Sequence, residues 1–233
     1  AVSLAKGIDP ITLELADELF FSYYHDYSEL FTFLSGPSFA SEIVDKHITA
    51  VSLAGHSTHV LEKTAAMLDT PYFKTLACYD IKGVLLGGAL KNVLAIGGGI
   101  IEGLGFRNNT RAAMITRGIA EMLRFGTIFN ARPETFYGLS GMGDLILTTT
   151  GQLSRNKRLG LEIAKGRKAS EVIRELKTTV EGFKTAKAAH ALSEKHNIRA
   201  SIFNGVYDVL YEDVPPHEVL EKLMKTQTRF EIN

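Results

Sequence analysis

The sequence predicts part of an α/β domain over residues 1–80 followed by an all-α domain over residues 81–233, and three observations carry that reading. In the first third, short apolar runs alternate with a helical repeat. Leu86, Leu90, Val93, Leu94 and Ile96 make a helix that is apolar on most sides, as a central helix must be. Beyond Cys78 the strand signals stop and helical periodicity continues to the end. A chain of 233 residues can bury one sizeable core or two modest ones.

Ser28 to Leu34 reads as a short strand closed by Ser35-Gly36-Pro37, and Ser38 to Asp45 as a short helix. Thr49 to Ala54 is the next strand, ended by Gly55. Ser57 to Leu68 has helical spacing with Ser57 or Thr58 as N-cap and Pro71 beyond its end. Tyr72 to Cys78 is a third strand. Leu86, Leu90, Val93, Leu94 and Ile96 belong to the central helix. Asn109 is placed to cap the helix carrying Ile115, Ile119 and Met122, with Gly126 at its end. Further helices are expected at Ser154–Lys165, Ser170–Leu176, Glu181–His196, Ile202–Tyr211 and Pro216–Thr226, the last opened by Pro215-Pro216. The stripe of Phe20, Phe21, Tyr23, Tyr24 and Tyr27 reads as packing rather than a cofactor box.

Lys and Arg number 26, as do Asp and Glu, so overall charge gives no case for nucleic acid or an anionic membrane as partner. One cysteine, Cys78, excludes an internal disulfide framework and fits a reducing compartment. The nearest approach to a membrane-spanning run, Leu85 to Ile101, is interrupted by Lys91 and Asn92. The opening residues lack the basic and apolar regions of a signal peptide and read as though the chain begins within a domain. The seven histidines show no metal-ligand spacing, so no metal is expected.

Chemistry concentrates in a few places. Lys91 and Asn92 interrupt an apolar helix, with Gly87, Gly88 and Ala89 before them and Gly97 to Gly99 after. A buried ammonium is costly unless an anion or a reacting oxygen meets it, and small neighbours let backbone or a ligand come close; a lysine that snorkels from the helix edge is the competing account. Asp144 follows Gly138, Gly141 and Gly143 at the start of an apolar run, where it either caps a helix or holds a nearby ammonium charged. Ser154-Arg155-Asn156 opens a helix whose N-terminus and arginine suit a phosphate, although such a charge run also forms a solvated face. Gly97 to Gly103 superficially resembles a dinucleotide fingerprint, but it follows no strand and lacks the spacing.

Together these residues resemble the NAD(P)-dependent glycerol-3-phosphate dehydrogenase family. The resemblance is carried by Lys6-Gly7-Ile8, Leu34 to Ala40, Gly87 to Val93, Gly103 to Ala113, Thr116 to Met122, Gly138 to Leu145, Ser154-Arg155-Asn156 and Val180-Glu181-Gly182, in the family's order from residue 6 to about 182. It implies an α/β Rossmann remnant followed by an all-α helical substrate domain. It also implies hydride transfer between NAD or NADP and carbon 2 of dihydroxyacetone phosphate or glycerol 3-phosphate. Lys91 matches the family's general acid–base. An ordinary lysine, with a pKa of about 10.4, is a ready acid but a poor base near neutrality, so oxidation requires a lowered value.

By the same resemblance Lys6 is a second cation near substrate and cofactor, while Asn92, Asp144 and Thr148 orient lysine and substrate. Arg155 and Asn156 match phosphate binders, with Ser154 beside them; Arg155 also matches a cofactor contact. Gly36, Ser38 and Ala40 match a loop where substrate and nicotinamide meet, and Thr179 and Glu181 match cofactor contacts from the helical side. The partner implied is a phosphorylated triose, in a cytoplasmic homodimer without membrane span or nucleic acid. Leu85 and Arg107 depart from the family, which usually has glutamate and glycine there. The family's glycine fingerprint and ribose-reading residue have no match, so preference between NAD and NADP is not legible and the chain alone is expected to bind NADH weakly. Two other readings are a hydroxy-acid dehydrogenase of the 6-phosphogluconate type, opposed by Ser154-Arg155-Asn156, and a non-catalytic helical fragment, opposed by Lys6, Lys91, Asp144 and Arg155 occurring together.

Overall fold

The computed structural model describes residues 1–176 and 178–225. Its N-terminal part is a four-stranded mixed sheet in the order β1-β2-β3-β4, formed by Val2–Ser3, Thr32–Ser35, Thr49–Gly55 and Phe73–Cys78. Between the strands lie α1 (Ala16–Tyr23), α2 (Ala40–Val44) and α3 (Thr58–Leu68). Then come α4 (Ile81–Gly103), α5 (Asn108–Ile128), α6 (Pro133–Phe136), α7 (Asp144–Thr150) and α8 (Arg155–Ala164). The helices α9 (Ala169–Leu176), α10 (Glu181–Lys195), α11 (Ser201–Tyr211) and α12 (Pro216–Met224) complete it. The expected α/β part followed by helices is what the chain forms.

The sheet departs from a uniform β-α-β pattern. β3 pairs with β4 in parallel, Thr49 opposite Phe73 through Ala54 opposite Cys78, because the eleven-residue α3 is long enough to carry the chain across the sheet. β2 pairs with β3 antiparallel, Thr32 opposite Gly55 and Ser35 opposite Ser52. The five-residue α2 makes no such crossover, so the chain turns back beside itself. Gly36 begins that return with φ +155°, a conformation open to glycine, and a side chain there would press on the Val51 backbone.

Several local expectations are corrected. Ser28 to Leu30 close a 3₁₀ turn, His25–Leu30, so the strand begins only at Thr32. No helix was expected where α1 forms, and its entry is fixed by the Glu18 carboxylate accepting from the Leu15 amide at 2.8 Å. Phe20 and Phe21 pack on Phe31 and Phe33, whereas Tyr23, Tyr24 and Tyr27 are exposed. Asn109 lies inside α5, whose N-cap is Arg107 without a side-chain cap, and Gly126 lies within that helix rather than at its end. Ser154 does cap α8, accepting from the Lys157 amide at 3.2 Å. Thr226, expected to end the last helix, lies outside the described residues.

From Ile81 to Ile101 every residue of α4 except Lys82 is buried, and α5, α7, α8, α10 and α11 all pack on it. Length and composition alone would let α4 cross a membrane, but its apolar stretch is wholly buried inside protein. Leu85, one of the two family departures, is part of this core at 5% exposure. Asp80 anchors the helix start. It accepts from the Gly83 amide at 2.9 Å, the Arg132 amide at 2.8 Å and the Thr135 hydroxyl at 2.7 Å, so the buried carboxylate is well supplied with donors.

Candidate functional site

Lys91 lies near the middle of α4, at 7% exposure. Its ammonium donates to Asp144 Oδ1 at 2.8 Å and to Thr148 Oγ1 at 2.8 Å. It does not snorkel, so the account that competed with a buried, paired lysine fails. Asp144 and Thr148 stand one turn apart on α7 and therefore share a face. The Thr148 hydroxyl donates to the Asp144 backbone carbonyl at 2.6 Å, which leaves its oxygen free to accept from the lysine.

Asp144 serves two cations: Lys6 Nζ sits 2.9 Å from Oδ2. It does not cap α7. The preceding Leu139–Gly143 forms a π turn and Gly143 holds the N-cap position, so the carboxylate is free to face inward. Two ammonium groups on one carboxylate leave a local excess of one positive charge. The side chains of Lys91 and Lys6 retain 9% and 20% exposure, so the cluster has a narrow opening to solvent. Burial, seconded by the Lys6 charge, pulls the Lys91 amine below its ordinary value of 10.5, while the Asp144 and Glu181 carboxylates oppose that fall.

A second cluster adjoins the first. Asn92 Nδ2 donates to the Gly88 carbonyl at 3.2 Å and to Glu181 Oε2 at 3.1 Å. Asn92 Oδ1 accepts from Asn156 Nδ2 at 2.8 Å, and Asn156 Oδ1 accepts from the Gly182 amide at 3.0 Å. Ser154 caps α8 beside them. Arg155, next in that helix, is exposed and forms no ion pair among the described residues. The basic run is split: Arg158 is exposed too, but Lys157 is buried against Glu102 at 3.1 Å and the Thr150 carbonyl at 3.1 Å.

The loop carrying Gly36, Ser38 and Ala40 runs beside α7. A methyl group added at Gly143 would touch Pro37, and one at Gly151 would strike the Phe39 ring. Ser38 Oγ donates to the Gly36 carbonyl at 3.0 Å. Ala40 and Thr179 are exposed, and Glu181 is half-buried at the first position of α10. The structure thus ties Lys6, Lys91, Asp144 and Thr148 into one cluster and Asn92, Asn156 and Glu181 into its neighbour. Ala40, Arg155 and Thr179 remain at the surface without a described link to either. The Gly88 carbonyl and Gly182 amide were missed, because no side-chain pattern announces a backbone donor or acceptor.

A cavity of about 470 Å³ lies elsewhere, between α4, α5, α11 and α12, and none of Lys6, Lys91, Asp144 or Arg155 lines it. The chemistry of the charged cluster, not cavity size, marks the candidate site.

The family model described as the N-terminus of NAD-dependent glycerol-3-phosphate dehydrogenase matches residues 1–61, and its C-terminal counterpart matches residues 80–221. A curated relative from Solidesulfovibrio magneticus, named glycerol-3-phosphate dehydrogenase [NAD(P)+], is 43% identical over 96% of this chain and 68% of its own length. One of the same name from Geobacter sp. is 43% identical over 99% of this chain and 69% of its own. The crystal structure of glycerol-3-phosphate dehydrogenase from Coxiella burnetii superposes with a TM-score of 0.89 at 34% identity, covering 97% of this chain and 68% of that one.

Proposed function

The chain belongs to the NAD-dependent glycerol-3-phosphate dehydrogenase family, and from that premise we propose that Lys91 is the general acid–base of its reaction. The enzyme interconverts glycerol 3-phosphate and dihydroxyacetone phosphate with NAD or NADP. The nicotinamide supplies the hydride in reduction and takes it up in oxidation. What supports the role of Lys91 is its amine, buried and held by Asp144 and Thr148.

An ammonium has three donor hydrogens, and two are taken. The third is left for the substrate oxygen at carbon 2. In reduction Lys91 donates its proton to that oxygen as negative charge develops there; in oxidation the neutral amine takes the hydroxyl proton. Asp144 fixes the amine's direction. Lys6, on the other oxygen of the same carboxylate, adds positive charge where the alkoxide forms.

Arg155, exposed beside the capped N-terminus of α8, is assigned to the substrate's phosphate and to the cofactor, with Ser154 and Asn156 next to it. Its free guanidinium, with Lys6, fits the anionic phosphates of a dinucleotide, and we place Ala40, Thr179 and Glu181 along the same ligand. Gly36 and Ser38 line the substrate side, and Asn92 holds the helix turn that presents the lysine. We divide the chain into residues 1–80, on the nucleotide side, and 81–233, a helical substrate domain; the break between the two family matches, 61 and 80, favours this division. A cytoplasmic homodimer is part of the same proposal.

Replacing Lys91 with Ala is expected to abolish turnover in either direction while cofactor affinity holds, and near-normal rates would remove Lys91 from the mechanism. In the same assays Arg155→Ala should mainly raise KM for the phosphorylated substrate.

A further inference from the structure

We propose that Glu181 is a positioning residue for Lys91, acting through the Asn92 amide that its carboxylate holds at 3.1 Å. The proposal rests on Lys91 being the acid–base.

Asn92 follows Lys91 directly in α4, so whatever fixes the Asn92 side chain fixes the rotation of this helix turn about its axis. Both hydrogens of its amide are engaged, one by the Gly88 carbonyl and one by Glu181. Its oxygen receives the Asn156 amide, and Asn156 in turn receives the Gly182 amide. The chain of bonds joins α4 to the N-termini of α8 and α10. Asn92 and Asn156 are 2% and 8% exposed, and buried polar groups satisfied in this way make a stiff network.

Packing from α5, α7, α8, α10 and α11 holds α4 in place, and the brace sets the finer aim of the turn that carries Lys91. Glycines on either side of Lys91 let neighbouring elements approach closely but present no side chain that resists rotation or sliding. A small rotation of α4 is amplified at the end of the lysine side chain, and a misplacement of about 1 Å in a reacting group can cost on the order of a hundredfold in rate. Glu181 is the one anionic member of this network. It stands half-buried at the first position of α10, where a bound cofactor would touch the same carboxylate that steadies Asn92. Occupancy of the nucleotide side and the aim of the lysine are thereby linked through a single side chain.

Glu181→Ala should lower kcat by about tenfold or more while KM for the triose phosphate changes by less than about twofold. Glu181→Gln, whose amide oxygen still accepts from Asn92, should restore most of kcat. The double variant Glu181→Ala with Asn92→Ala should be little slower than the slower single variant, because both remove one brace. Wild-type kcat in Glu181→Ala with only the cofactor KM altered would overturn the proposal, as would a Glu181→Gln no faster than Glu181→Ala, or additive losses in the cycle. If Glu181→Ala fails to fold, Glu181→Asp carries the test: the shorter carboxylate should lower kcat and leave the melting temperature near wild type. Full turnover in Lys91→Ala would instead sink the acid–base reading itself, whereas full turnover in the Glu181 variants sinks only the brace.

Discussion

Lys91 works against its surroundings. Burial and the Lys6 charge push its amine toward the neutral base that oxidation needs, while Asp144 and Glu181 keep it from losing its proton too readily for reduction. Asp144→Asn removes the carboxylate that gives the largest support to the ammonium, so the amine should fall further below 10.5. In the proposed mechanism oxidation of glycerol 3-phosphate uses the neutral amine and rises with pH through this titration, so its limb should move to lower pH in the variant. Reduction uses the ammonium, and its decline should begin at lower pH as well. The charged groups facing the amine are Asp144 from α7, Lys6 from the N-terminal segment and Glu181 from α10, and only the first is altered. A pH profile of kcat in both directions, with a limb that stays fixed or moves upward, would contradict this account. At this scale much was legible. A lysine and an asparagine inside an apolar helix are anomalous in any sequence, which singles them out. The role of Asp144 was not legible, because an aspartate at the start of an apolar run serves equally as a cap or as an ion-pair partner.

Among the elements, α4 and α8 cross most closely, and glycine makes the crossing possible. A methyl group on Gly160 would overlap the Ile96 carbonyl oxygen, and one on Gly99 would overlap the Lys157 carbonyl. Both obstacles are backbone, which cannot swing aside as a side chain would. Gly160→Ala should therefore cost about 3 kcal/mol of stability, read as a lower midpoint in urea unfolding. KM for the triose phosphate should rise with it, since α8 carries Arg155. An unchanged midpoint would show that the two helices separate freely. The three glycines Gly97 to Gly99 were readable as a place of close approach. That the neighbour is another helix rather than a ligand was not readable, because sequence spacing does not say what fills the space. Helical periodicity located α5, α8 through α11 and the start of α12 to within a residue or two, and marked α4 by its apolar residues without bounds. It failed at α1, where aromatic residues suited to strands are held in a helix by packing on Phe31 and Phe33.

For the molecule as a whole, the main apolar core runs from Ile8, Leu15 and the strand residue Phe33, through α4, to Val206 and Val219 in the last helices, while Leu34, Val51, Leu53 and Leu61 form a second, smaller core. The charged cluster is therefore built where the sheet-bearing part meets the helices, with Lys6 from one and Lys91 and Asp144 from the other. The cleft between α4, α5, α11 and α12 is lined largely by apolar side chains such as Ile100, Met114, Val206 and Leu220. Ile100, Met114 and Val206 are buried, so this cleft belongs to the interior of the helical part. Sedimentation at micromolar concentration should give twice the chain mass if the proposed homodimer forms; a monomer would dismiss it.

By itself the sequence determined the succession of an α/β part and a helical part, the family and the residues able to carry charge into the interior. Those properties are local: periodicity, turn chemistry and motif spacing are written along the chain. Only the tertiary structure decided that one carboxylate serves both lysines, that the two asparagines bind each other, and that β2 runs against β3. Each of these depends on groups far apart in sequence meeting within about 3 Å, the reach of a hydrogen bond, and no local pattern records such a meeting.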